Sequence, residues 1–120
     1  MIYAIDFDGT IVENAFPEIG KLKPIADYFI RALKERGDKW ILYTMREGEH
    51  LERAMEYLRE INLVPDAVND NLPEIKEFYG NNPRKVFANI YYGLRKQFGH
   101  RQPASGRWIY HRRKHPPTEG

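Results

Sequence analysis

The 120-residue chain contains no cysteine, which excludes disulfide cross-links and zinc–thiolate sites and fits a reducing cytoplasm. It also lacks any apolar run near the ~18 residues that a membrane span requires. No basic segment leads into a long apolar stretch near Met1, as a secretory signal would. Acidic residues are almost missing from the last third. Residues 80–120 hold 9 Lys/Arg and 1 Asp/Glu, whereas residues 1–79 hold 10 and 16, so a net charge of +2 conceals −6 followed by +8. A basic stretch of this kind suits either an anionic partner or a solvated tail. The length predicts one domain, and a hydrophobic content of 42% is enough for a modest core.

What the chain does have is concentrated at its start. Ile2-Tyr3-Ala4-Ile5 is a short apolar run rich in strand formers, as expected of a parallel strand covered on both faces. Asp6-Phe7-Asp8-Gly9-Thr10 follows where that strand should end, and open α/β sheets gather their ligands there. A carboxylate in an apolar setting needs a compensating cation or donor. Two of them suggest Mg²⁺, a hard ion that prefers oxygen ligands. The same tetrad also suits an ordinary turn, with Asp capping a helix and Gly supplying positive φ.

In its strand context, Asp-Phe-Asp-Gly-Thr resembles the first motif of the haloacid dehalogenase-like (HAD) superfamily of phosphohydrolases. The resemblance implies that Asp6 is the nucleophile and Asp8 the general acid/base. It further implies that Mg²⁺ is held by the Asp6 carboxylate and the Asp8 backbone carbonyl. Glu13 to Lys23, long for a strand-to-helix connection, corresponds to the hairpin or cap that the family inserts beside the nucleophile. Here it is too short for a large cap.

Pro24 suits a first helical turn, and Ala26, Phe29, Ile30 and Leu33 repeat at helical spacing up to a stop at Gly37. Trp40 to Thr44 reads as a second strand. Thr44 is either a cap or, by resemblance to the second family motif, a hydroxyl that holds a phosphoryl oxygen. Arg46 is either a second phosphate contact, since a guanidinium forks onto oxygens, or a surface ion pair. Leu51, Ala54, Met55, Leu58 and Ile61 form a second helical stripe, with His50 expected to be exposed. Asp66 to Asn69 is a short third strand, and Pro73 to Tyr79 a short helix. Val86 to Tyr92 is a fourth strand. Lys85 before it resembles the third motif, whose ammonium neutralises the nucleophile and the transferred group. Around Asp6, Asp8, Thr44 and Lys85, the resemblance makes Gly9, Thr10, Met45 and Arg46 candidate substrate contacts.

The closest similarity is to a small capless subgroup whose fourth strand runs Lys-x-x-Ala-Asp-x-Tyr-Ile-Asp-Asp, the final pair completing the Mg²⁺ site. This chain has Asn89 in place of the first Asp and Gly93-Leu94 in place of the pair. Residues 93–120 then show no strand or helix pattern, and Trp108-Ile109-Tyr110 is their one compact apolar cluster. A disordered basic tail, a nucleic-acid-binding arm and out-of-frame translation all account for this. The abrupt loss of pattern in mid-strand favours the last.

The expectation is therefore a doubly wound, Rossmann-like α/β fold, with a parallel sheet of about four or five strands flanked by helices. Residues 1–92 form its HAD-like core, and residues 93–120 a basic, irregular segment. The expected function is Mg²⁺-dependent hydrolysis of a small phosphate monoester through an aspartyl-phosphate, impaired by the missing acid. The alternatives are an inactive HAD-like binding protein and a nucleic-acid-binding module using the basic C-terminal region. No membrane partner is expected, and the sequence leaves the oligomeric state open. The Asp-x-Asp of metal-dependent glycosyltransferases accounts for neither Thr44 nor Lys85.

Overall fold

A computed structural model describes residues 1–79, 87–93 and 107–110 of the chain. Strand β1 (Ile2–Ile5) leads through a long connection to helix α1 (Pro24–Glu35), strand β2 (Lys39–Leu42) and helix α2 (Gly48–Glu60). Strand β3 (Ala67–Val68), helix α3 (Pro73–Tyr79), strand β4 (Ile90–Gly93) and strand β5 (Arg107–Tyr110) follow. The strands form one sheet in the order β3-β2-β1-β4-β5, and every pairing is parallel. The fold is thus a doubly wound α/β sheet, as the sequence pattern predicts.

The period-2 alternation of strands explains how both faces are covered. Tyr3, Ile5, Trp40 and Leu42 point to one side, where they pack with Ile30 and Leu33 of α1 and with Ala54 and Leu58 of α2. Ala4 and Ile41 point to the other, into a smaller cluster with Leu72, Tyr91 and, from α3, Ile75. Pro24 opens α1, and Gly37 closes it at φ +87° while the Asp38 N–H donates to the Leu33 carbonyl (2.9 Å). No described helix is long and apolar enough to cross a membrane.

Two expectations need correction. The fourth strand begins at Ile90 rather than Val86. The reason is local: side chains take the backbone groups that a ladder would have used. The Phe87 N–H donates to Asn71 Oδ1 (2.6 Å) and the Ala88 N–H to the Tyr91 hydroxyl (2.9 Å). Asn89 itself closes a ring with Ile2, accepting its N–H at Oδ1 (2.7 Å) and donating to its carbonyl (2.8 Å). Secondly, regular structure does not stop at residue 93. Arg107–Tyr110 pairs with Ile90–Gly93 residue for residue as β5. Four residues are too few for periodicity to reveal a strand, and its parallel partner supplies the rest.

The chain winds outward from β1 through β2 to β3, then returns to place β4 on the opposite side of β1. The winding direction therefore reverses between β1 and β4, and ligands of such sheets bind beyond the strand ends at that reversal. Leu58 is fully buried, so Leu58→Ala should cost about 2–5 kcal/mol in urea unfolding. Tyr28 is 77% exposed, and Tyr28→Ala should stay within about 0.5 kcal/mol of the parent.

Candidate active site

Asp6 leaves the end of β1 at the reversal point, and Asp8 follows in the turn. The turn is built on the Phe7 carbonyl, which accepts the N–H groups of Thr10, Ile11 and Val12 (3.1, 2.9 and 3.2 Å). Gly9 makes it feasible with φ +85°, and its carbonyl accepts Lys23 Nζ (2.9 Å). The following connection folds back as a small hairpin. Glu13 N–H donates to the Lys21 carbonyl (2.8 Å) and Lys23 N–H to that of Ile11 (2.8 Å). At its neck a Cβ on Gly20 would collide with the Glu13 carbonyl. The expected flap is therefore a closed loop with fixed ends.

Asp6 is buried. Its Oδ1 accepts the Phe7 N–H (2.8 Å), whereas Oδ2 has no hydrogen-bond partner among the described residues. Burial pushes the carboxyl well above the usual carboxylate range. The Phe7 N–H opposes the shift, the charge of Asp8 adds to it, and the nearby Thr10 hydroxyl lowers it. Thr10 is fully buried, and its hydroxyl stands near Asp6 without meeting hydrogen-bond geometry.

Thr44 follows β2 across from Asp6, since the Tyr43 N–H donates to the Ile5 carbonyl (2.9 Å). Its Oγ1 accepts the Arg46 N–H (3.1 Å), so it does cap the turn. The hydroxyl proton remains available to donate. The Thr44 N–H donates to Asn69 Oδ1 (2.8 Å), which fixes the turn against the end of β3.

Arg46 corrects the expectation of a surface ion pair. It is 3% exposed and forks onto Asp8, Nε to Oδ2 at 2.7 Å and Nη2 to Oδ1 at 2.8 Å. Nη2 also donates to the Glu18 carbonyl (2.9 Å), and Nη1 to those of His50 (3.1 Å) and Pro17 (3.3 Å). A guanidinium has five N–H donors, and all five are engaged. Its Cζ lies over the rings of Phe7 and Phe16, 5.2 and 4.9 Å from their centroids. Arg46 thus ties Asp8, the flap and α2 together instead of presenting free donors to a phosphate.

A cavity of about 270 Å³ opens beside this group, lined by Asp8, Asn14, Phe16, Thr44, Met45 and Arg46. Four candidate residues therefore meet at one cavity. Asp6 and Thr10 are buried at the strand end, and Gly9 shapes the turn. Lys85 and Leu94 lie outside the described residues. The flap residues Asn14 and Phe16 and the anchor Asn69 escape sequence reasoning, because loops carry no periodicity and their partners are remote in sequence. His50 is half-buried rather than exposed, with its ring 5.0 Å from that of Phe16.

Among the described residues no three His, Asp or Glu side chains are grouped to hold a metal. The Ile5–Tyr92 register sets Gly93 level with Asp6, so the first of the two positions where the resemblance expects an acidic pair carries no side chain. Asn89 cannot substitute. It sits beside Ile2 at the opposite end of the sheet, roughly 13 Å from Asp6 at ~3.3 Å per residue. A divalent ion nonetheless fits the chemistry of one group, the buried Asp6 Oδ2, which has no hydrogen-bond partner among the described residues.

No family model matches the chain, and no curated protein does. A solved structure described as a conserved protein from Bacteroides thetaiotaomicron is 32% identical, with a TM-score of 0.65. The match covers 95% of this chain and 78% of that one. The chain belongs to the family of that conserved protein. The shared fold supports the doubly wound architecture and leaves chemistry to be argued from the site.

Two measurements test the electrostatics. A carboxyl whose folded-state pKa is raised supports folding below its unfolded pKa of about 3.9. That support is lost as pH rises through the folded value. Asp6→Asn should therefore gain melting temperature over the parent as pH increases from 4, then level off, in chelator-treated thermal melts. Removing one member of a buried ion pair strands the other, so Arg46→Met should cost about 3–5 kcal/mol. Adding Asp8→Asn to Arg46→Met should recover part of that loss in a double-mutant cycle.

Proposed function

We propose that the protein is a HAD-like, Mg²⁺-dependent phosphohydrolase acting on a phosphate monoester through an aspartyl-phosphate on Asp6. The observation that carries this reading is the Asp6 carboxyl: buried at the winding reversal of a parallel sheet, with one oxygen lacking a hydrogen-bond partner among the described residues. Buried, perturbed carboxyls in such a position are candidates for chemistry rather than packing. The resemblance of Asp6-Phe-Asp-Gly-Thr10 to the family's first motif supplies the reaction class.

In this reading an Asp6 oxygen bonds to phosphorus as the bond to the leaving oxygen breaks. Water then attacks phosphorus and frees the carboxylate, its proton passing to Asp8. Arg46 holds Asp8 in one orientation at the cavity wall. The Thr44 hydroxyl donates to a phosphoryl oxygen, helped by the main chain of Met45 at the entrance to α2. Asp6 through Oδ2 and Asp8 through its carbonyl would hold Mg²⁺, whose charge offsets repulsion between carboxylate and phosphate. Lys85 would add a second positive charge. The cysteine-free composition agrees with a cytoplasmic setting.

A second reading, a HAD-like protein that binds phosphorylated ligands without turning them over, is favoured by the absent side chain at Gly93 and by the closed fork on Asp8. Release of p-nitrophenol from p-nitrophenyl phosphate separates the two. The enzyme should show Mg²⁺-dependent turnover that Asp6→Asn abolishes to background and Thr44→Val lowers about 100-fold, in keeping with the worth of single transition-state contacts. Equal background rates for parent and Asp6→Asn would remove the enzyme reading and leave the binding one.

A further inference from the structure

Phe7, Arg46 and Phe16 form a column whose exposure rises outward, from 0% through 3% to 52%. Phe7 is rooted in the core, and Phe16 ends the column at the cavity mouth. An exposed aromatic on a loop is ordinarily free to move, but this one is pinned. Arg46 donates to the carbonyls of the next two residues, Pro17 and Glu18, and His50 meets the ring from the side. Met45, 42% exposed, lines the same cavity. The mouth is therefore apolar and rigid, whereas Asp8, Thr44 and Asn14 give the rest of the lining polar groups.

We infer that the substrate is a small phosphate monoester with a planar aromatic leaving group, whose ring stacks on Phe16 against Met45. This inference rests on the phosphohydrolase reading and names its substrate class. A preordered ring binds another ring with little ordering cost and gains the stacking preference of aromatic pairs, and a thioether beside it adds favourable contact. The size agrees, because a 270 Å³ cavity lies just below the ~300–1,000 Å³ range of drug-sized ligands. The bond change agrees as well. As Asp6 takes the phosphoryl group, the P–O bond breaks and both its electrons leave on the aryl oxygen. A phenol has a pKa of about 10, well below that of water, so its anion departs without an accompanying proton. The fork between Asp8 and Arg46 can then stay closed during the first step.

Titration calorimetry with non-hydrolysable phosphonates tests this in the presence of Mg²⁺. Phenylphosphonate should bind about tenfold more tightly than methylphosphonate or cyclohexylphosphonate, in line with the extra worth of an aromatic pair plus ring burial. Phe16→Ala should erase the difference, while Phe16→Tyr should keep it. Thermal melts confirm that both variants fold. Cyclohexylphosphonate binding as tightly as phenylphosphonate overturns stacking, and equal binding of all three overturns the substrate class. Either result leaves the phosphate site standing. Failure of all three to bind at millimolar concentration removes the phosphohydrolase reading together with the inference.

Discussion

The buried fork between Arg46 and Asp8 is the constraint on which the site depends. Five donors on one flat group reach a carboxylate after β1, the first turn of α2 and two carbonyls of the flap. The sheet sets where Asp6 emerges, but it does not fix the loops beyond the strand ends. One side chain does that. Such a pair adds little net stability, because desolvating two charges offsets most of their attraction. What it supplies is a single geometry, since any displaced loop would leave a buried N–H without an acceptor.

Around this rigid group, Asp6 stands out as a local misfit. Its carboxyl is buried, short of one partner and close to a second carboxylate. A fold under no functional demand would replace it with an apolar or fully bonded side chain, because the arrangement costs stability. Departures from local consistency of this kind gather at working sites. The position strengthens the point: β1 is the central strand, and its end lies where the winding direction changes.

The sequence made the scaffold readable where a periodic pattern spanned several residues. α1, α2 and α3 appear at the bounds that their apolar spacing and Pro24, Gly37 and Pro73 suggest. β1 and β2 declare themselves as apolar runs. The pattern fails where side chains imitate backbone. Asn89 takes over the ladder contact with Ile2 and delays β4, and no spacing rule reports that. It fails again at β5, where four residues depend on a neighbour 17 positions earlier for their pairing. The site was half legible. Asp6, Asp8 and Thr44 follow from strand-end position and motif. The pairing of Asp8 with Arg46 joins residues 38 apart, and Phe16 belongs to a loop whose shape is set by that pairing.

The central place of β1 bears on how the molecule is assembled. β1 precedes the other described strands, yet it is flanked on one side by β2 and on the other by β4, about 50 residues later still. A chain emerging from the ribosome can zip β1, β2 and β3 early, while one border of β1 keeps its hydrogen-bonding groups open. Such a border invites pairing with a stranger's strand until β4 arrives. The strand end that carries Asp6 is thus flanked on one side only until residues 90–93 arrive, and a nascent chain stalled before them would carry the acid motif beside an open sheet edge.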